Sequence, residues 1–441
     1  MNTTCLIRLD RFRRLAQAPC TKDATIKAQE FPRTVTRTPI LGLTLVASLT
    51  RKAPFSRRAA GAVTHPLRPY RYGIRYLTPM NILLYFPPQS CEGPTTLWRS
   101  MRVLLTGSEG YLGCLLGPKL LRDGHDVVGV DTGFYKNGWL YRGVDRTVYT
   151  VDQDVRRLDV EDLRGFDAVV HMAELSNDPL GDLIGDVTYD VNHKGSLHLA
   201  SSAKQAGVSR FIYMSSCSVY GVADGTVDES SPINPQTAYG VCKGLVERDV
   251  AALADDGFSP TFLRNATAFG ASPRMRFDIV LNNLSGLAFT TREIAMTSDG
   301  SPWRPLVHAL DIGKAIRCAL GAPRDTVHAQ VFNVGSDEQN YQVRDIAERV
   351  AAAFPGCTTS FGAAGADNRS YRVDFSKIHA QLPGFSCDWD ANRGARQLAE
   401  VYSRISLDQE TFTGRGHTRL KQLEHLLRTK QLDSDLFWSQ P

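Results

Sequence analysis

The chain has 441 residues, 42% hydrophobic and 22% charged, in the range of a folded soluble protein of two or three domains or one large α/β domain with additions. Its net charge of +5 is unevenly placed: residues 1–100 hold 16 Lys and Arg against 4 Asp and Glu, the remainder 35 against 42. A mildly acidic body gives no support to nucleic-acid binding.

The nine cysteines form no CxxC pair, and no Cys/His cluster has zinc spacing, so no metal is expected and a reducing, cytoplasmic setting is favoured. No run reaches the ~18 apolar residues of a membrane helix, and ILGLTLVASL at 40–49 is too short to span. Residues 1–100 show no sustained helix or strand period. They read as sequence upstream of a start placed too early, with a disordered or transit tail as the alternative. Met101 directly precedes a complete strand, as an initiator would.

From Met101 the pattern is regular. Strands are expected at 102–106, 126–130, 147–151, 167–171, 210–214 and 260–264, with helices at 111–123, 156–163, 187–206 and 238–255. Apolar rather than alternating strands, separated by helices, predict an α/β fold: a Rossmann-like doubly wound parallel sheet. It should occupy 101–275. Residues 276–441 should mainly form a smaller C-terminal substrate-binding region, with helices at 277–290, 311–321, 342–353 and 416–429 and strands at 294–297 and 330–334.

The first strand runs into a glycine loop, Gly107, Gly110, Tyr111, Leu112 and Gly113, which opens a helix. Such a loop lets backbone approach a pyrophosphate, and the helix N-terminus adds N–H donors. Asp131 ends the second strand. A carboxylate there can bind both hydroxyls of an adenosine ribose and repels a 2′-phosphate, favouring NAD over NADP. Downstream, MSSCSVYG (214–221) closes the 210–214 strand, and Tyr239 and Lys243 follow at helical i, i+4 spacing. A lysine one turn away stabilises a phenolate, so the pair suits a tyrosine acting as base.

Together these segments resemble an extended short-chain dehydrogenase/reductase, specifically the NAD-dependent nucleotide-sugar epimerase/dehydratase family. The landmarks are TGSEGYLG, VDT at 130–132, QDVRRLD at 153–159, VVHMAE at 169–174, YDVNHKGS at 189–196, SSCSVYG, YGVCK and RPLVHALDIGKAI at 304–316. The resemblance covers about 101–385.

It implies bound NAD, a nucleotide-sugar substrate and a homodimer built on the helix after 187 and the helix carrying Tyr239. It implies that Asp154 and Val155 contact adenine, that Met172 and Ala173 pass over the cofactor, and that Asn192 supports the active-site region. Ser216, Tyr239 and Lys243 would be catalytic, with Ser215 supporting the strand end. Ser216, Cys217, Thr267, Arg304 and Arg369 would meet the substrate, the arginines at its phosphates or sugar; an ordinary surface charge is the plain alternative for each arginine. In the family's 4,6-dehydratases an Asp-Glu pair follows the hydroxyl residue. Here those positions are Cys217 and Ser218, which favours epimerisation, with dehydration or net dehydrogenation as alternatives. Cys217 reads either as a small packing residue or as a carbon base. A dinucleotide-binding regulatory protein without turnover is the reading from another class.

Overall fold

The computed structural model describes residues 99–142, 147–176, 185–363 and 369–439. The basic leader lies outside them almost entirely. Seven strands form one parallel sheet: β1 (Arg102–Thr106), β2 (Asp126–Asp131), β3 (Tyr149–Asp152), β4 (Ala168–His171), β5 (Arg210–Ser216), β6 (Ser259–Asn265) and β7 (Gln330–Val334). Their order is β7-β6-β5-β4-β1-β2-β3. The order reverses between β1 and β4, where a doubly wound sheet opens a crevice beyond its carboxyl ends.

Strand alternation explains the continuous apolar runs. Val103 and Leu105 of β1 join Val127, Val170, Ile212, Leu263 and Phe332 on one face. Leu104 joins Val128, Val169, Phe211, Tyr213 and Phe262 on the other. Helix α1 (Gly113–Arg122) and α4 (Ala309–Gly321) cover the first face through Leu116, Ile312 and Ile316. Helix α2 (Gly195–Gln205) and α3 (Ala238–Ala251) cover the second through Leu199 and Val246. Each large side chain so buried contributes roughly 1.5–3 kcal/mol.

Residues 309–334, assigned by sequence to the C-terminal region, return to this sheet. α4 packs on it and β7 extends its edge beside β6. A further apolar cluster, with Phe269, Phe277, Leu281, Leu306, Ile346, Leu398 and Tyr402, forms the core of the remaining C-terminal part.

The expected helix at 156–163 is instead a 3₁₀ turn, Val155–Arg157, and a short helix, Val160–Leu163. Asp159 separates them because its carboxylate accepts the N–H groups of Glu161 and Asp162 as a cap. Within the expected 187–206 helix, Tyr189–Lys194 form a π-helical turn. Strand Val222–Val227, which pairs with Ser370–Val373, and helix Ala391–Ile405 were not anticipated. No helix among the described residues is long and apolar enough to cross a membrane.

Candidate active site

The crevice holds a cavity of about 530 Å³, within the usual range of small-molecule sites. The glycine loop forms one wall. Gly107 has φ +70°, the left-handed region, and its N–H donates to Val130 O at 2.7 Å. A Cβ there would stand 3.0 Å from Ala173 N, so the loop runs close beneath the segment after β4. A Cβ on Gly113 would overlap the Gly107 carbonyl oxygen and lie 2.7 Å from Ser108 Cα. The start of α1 therefore sits directly on the loop, and Gly110, Tyr111, Leu112 and Gly113 line the cavity.

Asp131 accepts from Glu109 N at 3.1 Å and Gly133 N at 2.9 Å, tying the loop to the end of β2. Burial raises its carboxyl above the ordinary value. Tyr111 lines the cavity, but its hydroxyl is committed to Gly270 O at 2.7 Å. Leu112 also lines the wall. Asp154 and Val155 line it further out, Asp154 capping the 3₁₀ turn through Arg156 N at 2.8 Å. The C-terminal tail closes over this end. Phe437 lies 3.8 and 4.0 Å from the Arg156 and Arg157 guanidinium groups, and Trp438 donates to Thr132 O at 2.7 Å.

Met172 and Ala173 are fixed by their N–H groups, both donated to Thr106 Oγ1 at 3.1 Å. The Thr106 hydroxyl lies 2.8 Å from His171 Nδ1, and His171 Nε2 lies 2.8 Å from Ser196 Oγ. Since Thr106 Oγ1 already accepts two N–H groups, its own hydrogen goes to Nδ1, and the ring carries its proton on Nε2. Burial holds His171 down to about 3, so it stays neutral. Asn192, within the π-helical turn, makes a reciprocal amide pair with Leu175, at 2.8 and 3.0 Å. π turns often mark functional positions; this one packs an amide against the cavity wall.

At the carboxyl end of β5, Ser216 Oγ accepts from Ser218 N at 3.1 Å and starts the 3₁₀ turn Cys217–Tyr220. Thr237 caps α3 through Gly240 N at 3.2 Å. One turn along α3, Tyr239 and Lys243 share a face, the ammonium 5.3 Å from the tyrosine ring centre. Ser216, Tyr239 and Lys243 all line the cavity. Lys243 is buried, donates to Met214 O and pairs with Glu174, a residue the sequence reading left out. Ser215 donates to Glu247, which also accepts the Arg264 guanidinium at 2.7–3.2 Å. Ser215 thus ties the strand end to a buried ion pair. The Ser218 hydroxyl and Asn265 Oδ1 are buried with no hydrogen-bond partner among the described residues. Both residues line the cavity, as polar groups a ligand could satisfy.

For Cys217 the expected substrate contact is corrected, while its reading as a small packing residue agrees with its position. Its side chain points into the core, donates to Arg264 O at 3.2 Å and does not line the cavity. Burial pushes its thiol far up, so no thiolate forms near neutral pH. The tight turn explains the reversal: it leaves Ser216 and Ser218 on the cavity wall and sends Cys217 inward. Cys217→Ala should leave kcat within about twofold of the parent and lower unfolding stability by about 1–2 kcal/mol, the loss of a small buried group. Activity assays and denaturant titration read both; a hundredfold fall in kcat at unchanged stability would contradict this placement.

The far wall carries Thr267, Arg304 and Arg369. Thr267 sits on a short strand paired with Trp303–His308, which carries Arg304. Arg304 donates to Trp303 O at 2.8 Å and to Arg369 O, and lies 5.8 Å from the Tyr371 ring centre. Two further guanidinium groups not anticipated also line the cavity. Arg276 is held by Asp278 at 2.7 Å and Ser176 at 3.0 Å, and Arg419 lies 4.5 Å from the Tyr135 ring centre. Among the described residues no group of three or more His, Cys, Asp or Glu is placed to hold a metal ion.

A glycine cradle at one end, a Ser-Tyr-Lys set at the middle and arginines at the far wall define a dinucleotide-dependent enzyme of the short-chain dehydrogenase type. A model of the NAD dependent epimerase/dehydratase family matches residues 103–335. The chain belongs to that family, whose cofactor is NAD. It is 29% identical to the UDP-glucose 4-epimerase of Corynebacterium glutamicum over 270 residues, 56% of this chain and 79% of that one. It is 28% identical to the UDP-glucose 4-epimerase of Lactobacillus helveticus over 276 residues, 57% and 82% of the two chains. Among solved structures, MoeE5 in complex with UDP-glucose and NAD is 27% identical with a TM-score of 0.60, covering 69% of this chain and all of that one. The cradle fits the cofactor: side chains are missing where backbone must approach phosphate, and Asp131 lines the cavity beyond it.

Proposed function

We propose that the protein is an NAD-dependent nucleotide-sugar epimerase that works through a transient ketone. The observation that carries this reading is that Ser216, Tyr239 and Lys243 open onto the same cavity as the glycine loop and Asp131. Gly107, Gly110, Tyr111, Leu112 and Gly113 would hold the pyrophosphate, Asp131 the adenosine ribose, Asp154 and Val155 the adenine, and Met172 and Ala173 the inner face. Bound there, NAD supplies reversible hydride acceptance from a sugar carbon. Tyr239 takes the proton from the hydroxyl on that carbon and later returns it, while Ser216 donates to the same oxygen. Lys243 stabilises the phenolate. Arg304 and Arg369 grip the diphosphate with planar, multi-donor guanidinium groups, beside Thr267.

Epimerisation needs no further acid: the ketone turns in the site and is reduced from its other face. Dehydration needs a proton donor for the leaving hydroxyl. The 217–218 turn has no carboxyl, and both oxygens of Glu174, the nearby carboxylate, are occupied by Tyr213 and Lys243. A homodimer through the helices around 187–206 and 238–251 accompanies this reading; sedimentation of the NAD-loaded protein measures it.

The test is incubation of the NAD-loaded protein with a panel of nucleotide sugars, read by NMR. An epimeric sugar without net cofactor reduction is expected. An accumulating keto-deoxy sugar would assign it to dehydration instead. No product or keto intermediate from any sugar, with NAD retained, would leave the regulatory reading.

A further inference from the structure

Glu174 follows Ala173 just after β4, lines the cavity and is almost completely buried, its side chain 3% exposed. Its Oε1 accepts the Tyr213 hydroxyl at 2.6 Å, and its Oε2 pairs with Lys243. Lys243 is held from three sides: by Glu174, by Met214 O, and by the Tyr213 ring, whose centre is 4.6 Å from the ammonium. Burial raises the Glu174 carboxyl and pulls the ammonium down; their contact offsets the first only in part, so Glu174 stays above its ordinary value, and outweighs the second, so Lys243 ends above its own. The other titratable groups facing the pair are neutral or already committed. From β4, His171 is neutral. On α3, burial pushes the Cys242 thiol up to about 12, and Glu247 is bonded to Arg264 of β6. From the loop after Ser272, Arg276 is bonded to Asp278. Tyr213 of β5 donates its proton to Glu174.

Resting on the reading of Tyr239 as the base, we infer that Glu174 is a positioning residue that holds Lys243 as half of a neutral ion pair beside Tyr239. The tyrosine therefore works next to a compensated ammonium rather than a bare one. A nearby negative charge disfavours loss of a proton from both Tyr239 and Lys243. The two titrate as a coupled pair, so the first proton to leave belongs to the pair, whichever group releases it. Glu174 sets the pH at which the base becomes available.

The experiment is a pH titration of tyrosinate absorbance in the NAD-loaded full chain, each profile corrected by subtracting its own Tyr239→Phe version. It needs no substrate, so it stands or falls separately from the choice of sugar. Glu174→Gln removes the charge; its Oε1 can still accept from Lys243, while its amide N–H donates to the Tyr213 hydroxyl oxygen. The Tyr239 transition should move down by about one pH unit or more, and the acidic limb of kcat with it, where a substrate has been found. An unmoved or upward-moved transition overturns the inference.

Should that variant not fold, Glu174→Gln combined with Lys243→Met removes both charges at once and leaves none uncompensated. The parent Tyr239 should then titrate within about one unit of this double variant, because the carboxylate offsets the ammonium. A parent transition several units lower would mean the ammonium acts unopposed, which also overturns the inference.

Discussion

Tyr239→Phe should reduce kcat by about 10²–10⁴-fold, the usual contribution of a positioned acid–base group, while NAD content and melting temperature stay at parent values. The substitution removes only a phenolic oxygen. The ring stays on α3, beside the Lys243 ammonium, and the helix cap at Thr237 is unaffected. KM for the nucleotide sugar should change little, since the arginine wall is remote from α3 in sequence and built on other elements. Steady-state kinetics together with cofactor absorbance in the purified protein separate these effects. A variant with kcat within tenfold of the parent would remove Tyr239 from the mechanism. Lys243→Met gives a contrasting outcome, because it strips Glu174 of its counter-ion in a buried position. Breaking such a pair costs about 3–5 kcal/mol, so lost stability accompanies lost activity.

Gly113→Ala should abolish retention of NAD through purification and lower the melting temperature. Its added methyl would overlap Gly107 O and stand 2.7 Å from the Ser108 backbone. Both are main-chain atoms of the turn and cannot swing aside as a side chain can. Either the first turn of α1 lifts off the loop or the loop opens, and each breaks the phosphate cradle. Overpacking of this kind typically costs about 1–3 kcal/mol. Gly185→Ala is the matching control, since no described residue lies within 4 Å of its added methyl; it should retain NAD fully. Cofactor content and thermal melts decide, and a Gly113→Ala protein that still carries full NAD would show that the loop tolerates displacement.

The parallel sheet was legible because each of its inner strands is covered on both faces, so it appears in the sequence as an unbroken apolar run. The glycine loop and the Tyr-Lys spacing were legible because local geometry alone dictates them. Glu174 was not. Its meaning comes from Lys243 and Tyr213, which the fold brings to it from α3 and β5. Helix Ala391–Ile405 was overlooked although its buried residues Ala391, Ala395, Leu398 and Tyr402 recur at helical spacing; only two of them are large, and polar and charged residues fill most of the segment between. Strand Val222–Val227 has no apolar run at all and exists only through pairing with Ser370–Val373. Cys217 had the right address and the wrong direction, since nothing in the order of small residues says which way a 3₁₀ turn points them. Arg276 and Arg419 carry no motif, and only the cavity groups them with Arg304 and Arg369.

The return of α4 and β7 to the sheet bears on how specificity can be re-engineered. Residues that line the cavity and residues that complete the scaffold alternate along the second half of the chain: Thr267, then Arg304, then the covering helix and edge strand, then Arg369. A cut near 275 followed by grafting of a relative's C-terminal half would import a foreign edge strand and a foreign lid for the first face of the sheet. On the proposed reading of these residues, sugar preference would thus not be modular. It would have to be exchanged loop by loop, around 267–279, 298–304 and 369–371, with the framework between left in place.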